Sequence, residues 1–363
     1  MTTDQPDIRD IPEGKPSVNH SYFYMPPVWI GTTPTTIELN GPLINLAKMV
    51  CSRTLSVGIR IDAHRDVIFL FDFTGWPEGA PVAIPAHTRD GGQRLPDNVL
   101  KAQKEADEHR YKDISVMNAH LACMSTAMST VQGHGLAVRQ VITPSSYFTT
   151  HWDAGGRKVV GINPPNDPIL AYVSVHYPLE LYARQGQRRA TTIGTKTVER
   201  SFDLLEEILT SETPDTLLMT NLIYLAATNY GEHDFPTALT LSWTVCEKLL
   251  RILWGRYIAT KATTVDDAGK EIQVINKDRR KNQLQGRDYT ASVVSETLAL
   301  AGFLKHDIYL KLTDLRRTRN AWLHELTPIT GQDANHSVQT AELFLKEITG
   351  IRLAVHLSYG SRL

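Results

Sequence analysis

Hydrophobic and polar positions alternate in short runs through the first half of the chain. Between residues 41 and 182, β-branched and aromatic runs are separated by glycine, proline and asparagine, which is typical of strands joined by turns. The runs TLSVGIRI and DVIFLFDF flank DAHR and predict a β-hairpin, and GLAVRQVIT, KVVGI and ILAYVSVH predict three further strands. Apolar residues at helical spacing from Pro96 to Gln132 predict one long helix or two abutting helices. We therefore expect residues 41–182 to form an α+β domain with a mostly antiparallel sheet.

The second half of the chain has a different pattern, because apolar residues recur at helical spacing and the strand signals stop near Pro178. Five or six helices are predicted, with helical patterns at Val198–Leu209, Thr216–Tyr230, Pro236–Ile258, Tyr289–Phe303, His306–Leu326 and Ser337–Leu357. The proline near the first turn of the third helix agrees with a helix start there. Residues 198–363 are therefore expected to form an all-α helix bundle of ordinary domain size.

Residues 1–40 contain six prolines and few periodic apolar positions, so they predict an irregular N-terminal arm. The first residues are polar and acidic, unlike those of a signal or transit peptide. No apolar run approaches the roughly 20 residues that are needed to span a bilayer. These features predict a cytoplasmic protein without a membrane partner.

The formal net charge of -1 gives the chain no overall field that would attract a polyanion such as RNA. Contact with RNA would therefore depend on local basic clusters. Two are present: Arg188 and Arg189 in a segment rich in Gly and Thr, and Arg279, Arg280 and Lys281 in a polar insertion between predicted helices. A solvated linker or loop has the same composition, so an RNA-binding role and a solvated surface both stay open.

The cysteines Cys51, Cys123 and Cys246 lie far apart and form no CxxC pair, which argues against a disulfide framework and against a zinc cage. The segment EHD at Glu232–Asp234 precedes a proline and predicts a helix start rather than a metal site. The segment HWDAGG at His151–Gly156 predicts a turn. No metal and no cofactor is expected.

The segment LRRTRNAWLHEL, Leu315 to Leu326, is the strongest candidate for a functional site. A helix advances about 100° per residue, which places one apolar stripe on the predicted helix: Ile308, Leu312, Leu315, Trp322 and Leu326. Arg319 lies in the middle of this stripe, so its charge would be buried and would need an acidic or carbonyl partner. Asn320 and His324 lie one turn apart on another face, with Arg316 between the two faces.

The preceding apolar helix offers a partner for Arg319. Its stripe consists of Leu239, Trp243, Cys246, Leu250, Leu253 and Tyr257, with Glu247 at the edge. A contact between Glu247 and Arg319 would hold the guanidinium group beside a cleft. Two alternatives stay open, because Glu247 is also spaced to pair with Arg251 on its own helix, and Arg319 could extend past the end of the bundle.

The order Arg319-Asn320-Ala321-Trp322-Leu323-His324, late in a helix of an all-helical region, resembles the signature of the HEPN superfamily. That signature is an arginine, a polar residue and then a histidine a few residues later. The segment ALTLSWTVCEKLL is similar to the helix that carries Trp and Glu in the abortive-infection and Apea-like HEPN ribonuclease branch. The resemblance covers about residues 198–360 and does not extend to the first 180.

Active HEPN proteins are metal-independent endoribonucleases, and the resemblance implies this reaction for the present chain. The implied catalytic residues are Arg319, Asn320 and His324, and the implied supporting residues are Glu247, Arg316 and Trp243. These residue types suit the chemistry, because imidazole transfers protons near neutral pH and a guanidinium group stabilises charge on phosphorane oxygens. In the family two bundles face each other across one composite site, so we expect a homodimer.

The resemblance also implies a biological role, that of a toxin or antiphage-defence effector acting by abortive infection. RNA would be the substrate, and an antitoxin or a phage-derived trigger would be a further partner. The α+β domain at residues 41–182 would sense a signal or recruit RNA. The alternative is a catalytically silent HEPN module that dimerises or binds RNA while the N-terminal domain carries the activity.

Overall fold

The computed structural model describes residues 18–23, 29–31, 49–65, 68–76, 97–133, 141–143, 148–152, 158–161, 192–274, 284, 289–355 and 357. The chain forms two compact units, one made of Met1–Asn118 with Gln140–Phe202 and the other of Ala119–Arg139 with Asp203–Leu363. The second unit contains most of the region that was predicted to be a helix bundle. It also contains Ala119–Arg139, which the sequence pattern placed in the α+β domain.

The first unit contains a six-stranded antiparallel sheet of β1 Val18–Phe23, β3 Met49–Thr54, β4 Arg60–His64, β5 Ile68–Asp72, β6 Phe148–Trp152 and β7 Lys158–Gly161. The strand order in the sheet is β3-β4-β5-β1-β6-β7. A parallel pair joins β2 (Trp29–Ile30) to β8 (Thr192–Ile193). The structure thus confirms the α+β class and the antiparallel character of the main sheet.

Strand β1 lies within the range that was predicted to be an irregular arm, so that prediction was wrong for Val18–Phe23. The strand has a central place in the sheet, because it pairs with β5 on one side and with β6 on the other. Backbone hydrogen bonds on both edges stabilise a strand even where its side chains, VNHSYF, do not alternate between apolar and polar.

Strands β4 and β5 form the predicted hairpin, with Arg60 paired to Asp72 at its open end. The turn lies later in the chain than predicted, because most of DAHR belongs to β4. The run TLSVGIRI contains a turn rather than one continuous strand. Gly58 has a φ of +92° in this turn, and a Cβ atom there would lie 2.1 Å from the carbonyl oxygen of Gly75.

The remaining strand predictions had mixed outcomes. KVVGI forms β7 as predicted, whereas HWDAGG does not begin as a turn, because His151 and Trp152 end β6 and pair with β7. The run ILAYVSVH lies outside the described residues, and so does GLAVRQVIT except for residues 141–143, which form no strand. Asn118 holds this short piece, since its Nδ2 donates to the Ile142 carbonyl at 3.2 Å and its Oδ1 accepts the Ile142 N–H at 2.8 Å.

The long helix predicted between Pro96 and Gln132 is confirmed. It consists of α1, Asp97–Ala127, and a π-helical turn over Met128–Gln132. Gly133 ends it with a φ of 75°, a left-handed conformation that glycine adopts at little cost.

The later helices are α2 Thr195–Leu209, α3 Thr216–Gly231, α4 Phe235–Lys261, α5 Ala291–Leu300, α6 His306–Glu325 and α7 Gly331–Thr349, and a short hairpin of β9 (Thr263–Val265) and β10 (Glu271–Gln273) follows α4. The first five of these helices were predicted to within three residues at each end. Asp234 accepts the Thr237 N–H at 3.2 Å, so EHD is the helix start that was predicted. Helix α7 begins and ends earlier than predicted, because Thr330 and Asp333 form a capping box and Gly350 ends the helix in the left-handed conformation.

Helix α4 is the central helix of the bundle, since it packs against α3, α5, α6 and α7. Most of its predicted stripe is buried, namely Leu239, Trp243, Cys246, Leu250 and Leu253, whereas Tyr257 is half-buried. Burial raises the pKa of the Cys246 thiol, so this side chain stays uncharged and acts as a packing group. Among the described helices, none combines the length and the apolar character that crossing a bilayer requires.

Candidate functional site

A cleft of about 900 Å³ lies between α4, the start of α5 and the second half of α6. Its described wall consists of Trp243, Glu247, Leu250, Arg251, Trp254 and Gly255 from α4, Leu284 and Tyr289 from the segment before α5, Thr290, Ala291, Ser292 and Val294 at the start of α5, and Arg316, Arg319 and Asn320 from α6. Five of the six residues that were predicted to be catalytic or supporting therefore share one cleft.

Helix α6 is buried along its first half and becomes exposed towards its end. Ile308, Leu312 and Leu315 are each at most 2% exposed, as predicted for the apolar stripe. Trp322 is only half-buried and Leu326 is 74% exposed, so the stripe prediction was wrong beyond Leu315. Leu326 follows the helix end with a φ of 56°.

Arg319 is half-buried in the wall of the cleft, not enclosed in the core as predicted. The reason is that the buried part of the stripe ends one turn earlier, at Leu315. Arg319 Nη1 donates a hydrogen bond to Asn320 Oδ1 at 3.1 Å. A guanidinium group carries five N–H donors, so further donors remain for a ligand in the cleft.

Glu247 pairs with Arg251, which is one of the alternatives that the sequence left open. Arg251 Nη2 donates to Glu247 Oε1 at 2.9 Å, and the two side chains are 74% and 37% exposed. Exposed pairs of this kind contribute little to stability. Glu247 thus lines the same cleft as Arg319, while the hydrogen-bond partner of Arg319 among the described residues is Asn320.

Arg316 and Arg317 are neighbours in sequence but have different surroundings. Arg316 is half-buried in the cleft wall, and it has no hydrogen bond or ion pair to any residue that the structure describes. Arg317 is 75% exposed and lies 3.7 Å from Asp314, as an ordinary surface charge does. Of these two arginines, Arg316 is therefore the one that a ligand in the cleft would meet.

His324 lies in the last turn of α6, where it is exposed and does not line the cleft. It follows Asn320 by one helical turn on the same face. Leu323 and Leu326, on either side of it in sequence, are 45% and 74% exposed. The structure thus brings Arg319 and Asn320 together in the cleft and leaves His324 at the open end of the same helix.

The start of α5 is a part of the cleft that the sequence pattern did not identify. Trp254 positions this segment, because its Nε1 donates to the Leu284 carbonyl at 2.7 Å and its ring stacks on Tyr289 with centroids 5.4 Å apart. Thr290 is the N-cap residue, but its hydroxyl lies 3.1 Å from that of Ser292 and does not cap the helix. Threonine before a helical pattern was the available signal, yet it does not indicate which cleft the helix start faces.

The described wall of the cleft is positively charged although the whole chain has a net charge of -1. It carries the guanidinium groups of Arg251, Arg316 and Arg319 and the carboxylate of Glu247. Guanidinium groups in a concave wall attract phosphate by charge and by paired N–H donors. The cleft is therefore suited to an anionic ligand.

The predicted RNA-binding residues Arg188, Arg189, Arg279, Arg280 and Lys281 all lie outside the described residues. Within the part of the chain that the structure describes, no group of three or more His, Cys, Asp or Glu side chains is arranged to hold a metal ion.

The function of the cleft has to be inferred from its own residues and geometry. Comparisons with protein-family models, with curated proteins and with solved structures find no match to this chain.

Proposed function

We propose that the chain is a HEPN-type, metal-independent endoribonuclease that cleaves RNA by attack of the 2′-hydroxyl group. The observation that carries the proposal is the arrangement on α6. Arg319 and Asn320 line a positively charged cleft, and His324 follows one turn later at the exposed end of the helix. These groups meet two needs of the reaction, proton transfer near neutral pH and stabilisation of charge on phosphorus-bound oxygens.

In the proposed reaction the 2′-oxygen forms a bond to the adjacent phosphorus, and the bond from that phosphorus to the 5′-oxygen breaks. The imidazole of His324 removes the 2′-hydroxyl proton, and the imidazole of a second copy supplies the proton that the departing 5′-oxygen takes up. Arg319 donates N–H groups to the phosphorane oxygens, and Asn320 orients it by accepting from its Nη1. The products are a 2′,3′-cyclic phosphate and a 5′-hydroxyl, so DNA would not be cleaved.

The proposal includes a homodimer. His324 lies outside the cleft wall, and the neighbouring Leu323 and Leu326 expose 45% and 74% of their surface. Exposed apolar side chains that cluster in one place favour association. A two-fold axis near the end of α6 would bring the two histidines of a dimer together and complete one site. A protein that sediments strictly as a monomer and still cleaves RNA would contradict this part.

The proposed cellular role is that of a toxin or antiphage-defence effector, restrained by an antitoxin or released by a phage-derived trigger. The region at residues 41–182, which includes most of the antiparallel sheet, would sense the signal or recruit RNA. We assign sensing or RNA recruitment to residues 41–182 because the proposed cleavage site lies on α6, so the sheet is available for another role.

The test compares wild type with His324→Ala, and His306→Ala at the other end of α6 is the matched control because it is also exposed. We expect His324→Ala to lower cleavage roughly 10²- to 10⁴-fold, as loss of a general acid or base does. Growth after induced expression, RNA integrity and a sequencing map of 5′-hydroxyl ends measure the effect. Equal growth and intact RNA with wild type and both variants would count against the nuclease.

A second candidate is a catalytically silent module that binds RNA or dimerises while the N-terminal domain carries the activity. The observation that favours it is that His324 does not line the cleft. It predicts RNA binding that falls in Arg319→Ala, with no new 5′-hydroxyl ends for wild type or any variant.

A further inference from the structure

Two separate elements direct positive charge into the cleft between α4, α5 and α6. From α6, Arg316 is half-buried with no partner among the described residues, and Arg319 uses one N–H for Asn320. Removing a cation even partly from water without a partner costs free energy, so a wall of this kind is stabilised when an anion binds.

From α5, the cleft receives the start of a helix. The first N–H groups of a helix have no acceptor within the helix and carry a partial positive charge. The Thr290 side chain does not cap them, because its hydroxyl is 3.1 Å from the Ser292 hydroxyl instead. The N–H groups of Ala291 and Ser292 therefore have no acceptor among the described residues, and both residues line the cleft.

The volume of the cleft indicates a ligand larger than phosphate. It is about 900 Å³, whereas pockets for small molecules and nucleotides span roughly 300–1,000 Å³. Tyr289 is half-buried in the same wall, and a base can stack on the exposed part of its ring. The Trp254 ring stacks on Tyr257 and on Tyr289, so it serves the fold.

We propose that the cleft binds one nucleotide, with its phosphate held by Arg316, Arg319 and the start of α5 and its base against Tyr289. The nucleotide comes from one of two sources, a unit of single-stranded RNA next to the cleaved bond or a free nucleotide. The assignment to RNA rests on the proposed ribonuclease function, because Arg319 belongs to both sites. The nucleotide binding itself does not depend on cleavage.

The first test measures binding without cleavage. A fluorescent single-stranded RNA with 2′-O-methyl groups is titrated with the full chain, and anisotropy reports the dissociation constant. We expect Arg316→Ala to weaken binding roughly tenfold or more, as loss of a charge-assisted bond to phosphate does. The matched control is Arg317→Ala, the next residue, whose charge is exposed beside Asp314 and outside the cleft wall. Equal loss in both variants would overturn the proposal, since it would show attraction by general charge only.

The second test addresses the start of α5. In Ser292→Asp a carboxylate takes the place of the phosphate at the helix start, where a negative charge stabilises the helix itself. We expect this variant to unfold at or above the wild-type temperature and to lose RNA binding roughly tenfold. Ser292→Asn has nearly the same shape as Ser292→Asp without the charge and is expected to lose less RNA binding than Ser292→Asp. Unchanged binding by Ser292→Asp would remove α5 from the site.

A competition arm separates the two sources of the nucleotide. Displacement of the labelled RNA by AMP or ATP assigns the cleft to free nucleotides as well, and RNA binding without displacement assigns it to the RNA chain. If neither the RNA nor AMP nor ATP binds, the proposal is overturned.

The binding test also separates this inference from the proposed function. Binding that depends on Arg316 in a protein that never cleaves RNA would leave the nucleotide site standing and reject the ribonuclease. The opposite result is cleavage that is lost in His324→Ala, with both cleavage and RNA binding unchanged in Arg316→Ala. That result would support the ribonuclease and reject the nucleotide site.

Discussion

Helices α6 and α7 follow each other in the chain and have nearly the same length, 20 and 19 residues, but they bury different numbers of side chains. Helix α7 begins at the capping box of Thr330 and Asp333, buries seven side chains and ends at Gly350. Helix α6 begins after Lys305 without a side-chain cap, buries three side chains and ends at Leu326. The difference indicates that α7 mainly stabilises the bundle. The side chains in the second half of α6 are less buried, and some of them line the cleft with polar groups.

The largest expected difference between the two helices is in the free energy of unfolding after a core side chain is removed from α7. Phe344 is fully buried, so Phe344→Ala should lower the free energy of unfolding by about 3–5 kcal/mol through lost burial and a new cavity. Leu310→Ala on α6 is the control, because Leu310 is 49% exposed and should cost less than about 1 kcal/mol. Urea unfolding of both variants measures the two losses, and similar small losses would remove the distinction between the helices.

The next effect concerns chemistry, not stability. Arg319→Ala should lower RNA cleavage roughly 10²- to 10³-fold, as removal of one group that stabilises the transition state does. Its free energy of unfolding should change by less than about 1 kcal/mol, because the side chain is half-buried at the cleft and not in the core. Arg317→Ala should leave both quantities unchanged. A loss of stability as large as that of Phe344→Ala would mean that the arginine is part of the core after all.

A pH effect should distinguish the two helices as well. Desolvation raises the pKa of Glu342 on α7 from 4.5 to about 7, although its carboxylate accepts the Val355 N–H at 2.8 Å. The pKa of Glu342 is higher in the folded state than in the unfolded state, so the protonated side chain favours the folded state. This contribution to stability is complete below pH 4.5 and is lost as the pH rises through 7. The loss in the free energy of unfolding is roughly 3 kcal/mol, at 1.36 kcal/mol for each pKa unit between 4.5 and about 7.

The variant that tests the pH effect is Glu342→Gln, which keeps an acceptor for Val355 and has no charge to lose. Its free energy of unfolding should fall less than that of wild type between pH 5 and 8, as measured by urea unfolding at each pH. Glu325→Gln is the control, because Glu325 is exposed in the last turn of α6 and should leave the pH profile as it is in wild type. If Glu342→Gln and wild type lose stability in parallel, another group carries the pH dependence.

Helix α6 also shows how far the sequence could predict the fold and the site. Periodicity identified the helix and its buried residues Ile308, Leu312 and Leu315, because an apolar face is visible in the spacing alone. It placed Arg319 in the core, since spacing tells which face of a helix is apolar but not where along the helix the neighbouring helices stop. The exposure of the second half of α6 therefore became visible only in the packed bundle.

The remaining differences have related causes. Strand β1 was missed because its pairing depends on backbone hydrogen bonds with β5 and β6, which a side-chain pattern does not encode. The start of α5 was missed as part of the cleft because Trp254 on α4 positions it through Leu284 and Tyr289, residues 30 or more positions away in sequence. Contacts between distant segments of this kind arise only when the chain folds.

The smallest expected effect lies at the end of α6, where Leu326 combines a left-handed backbone, φ 56°, with a side chain that is 74% exposed. A leucine in this conformation is strained, whereas glycine adopts it freely, so Leu326→Gly should raise the free energy of unfolding by about 0.5–1 kcal/mol. The exposed side chain forms no part of the core, so its loss costs the monomer little.

In the proposed dimer Leu326 lies beside His324, and the same change should weaken association in sedimentation experiments. Leu326→Ala separates the two effects, because alanine keeps the strained backbone conformation and removes most of the apolar surface. A monomer that becomes more stable while the dimer becomes weaker would show that leucine is kept at this position for the partner subunit. Unchanged association of both variants would place the dimer interface elsewhere on the chain.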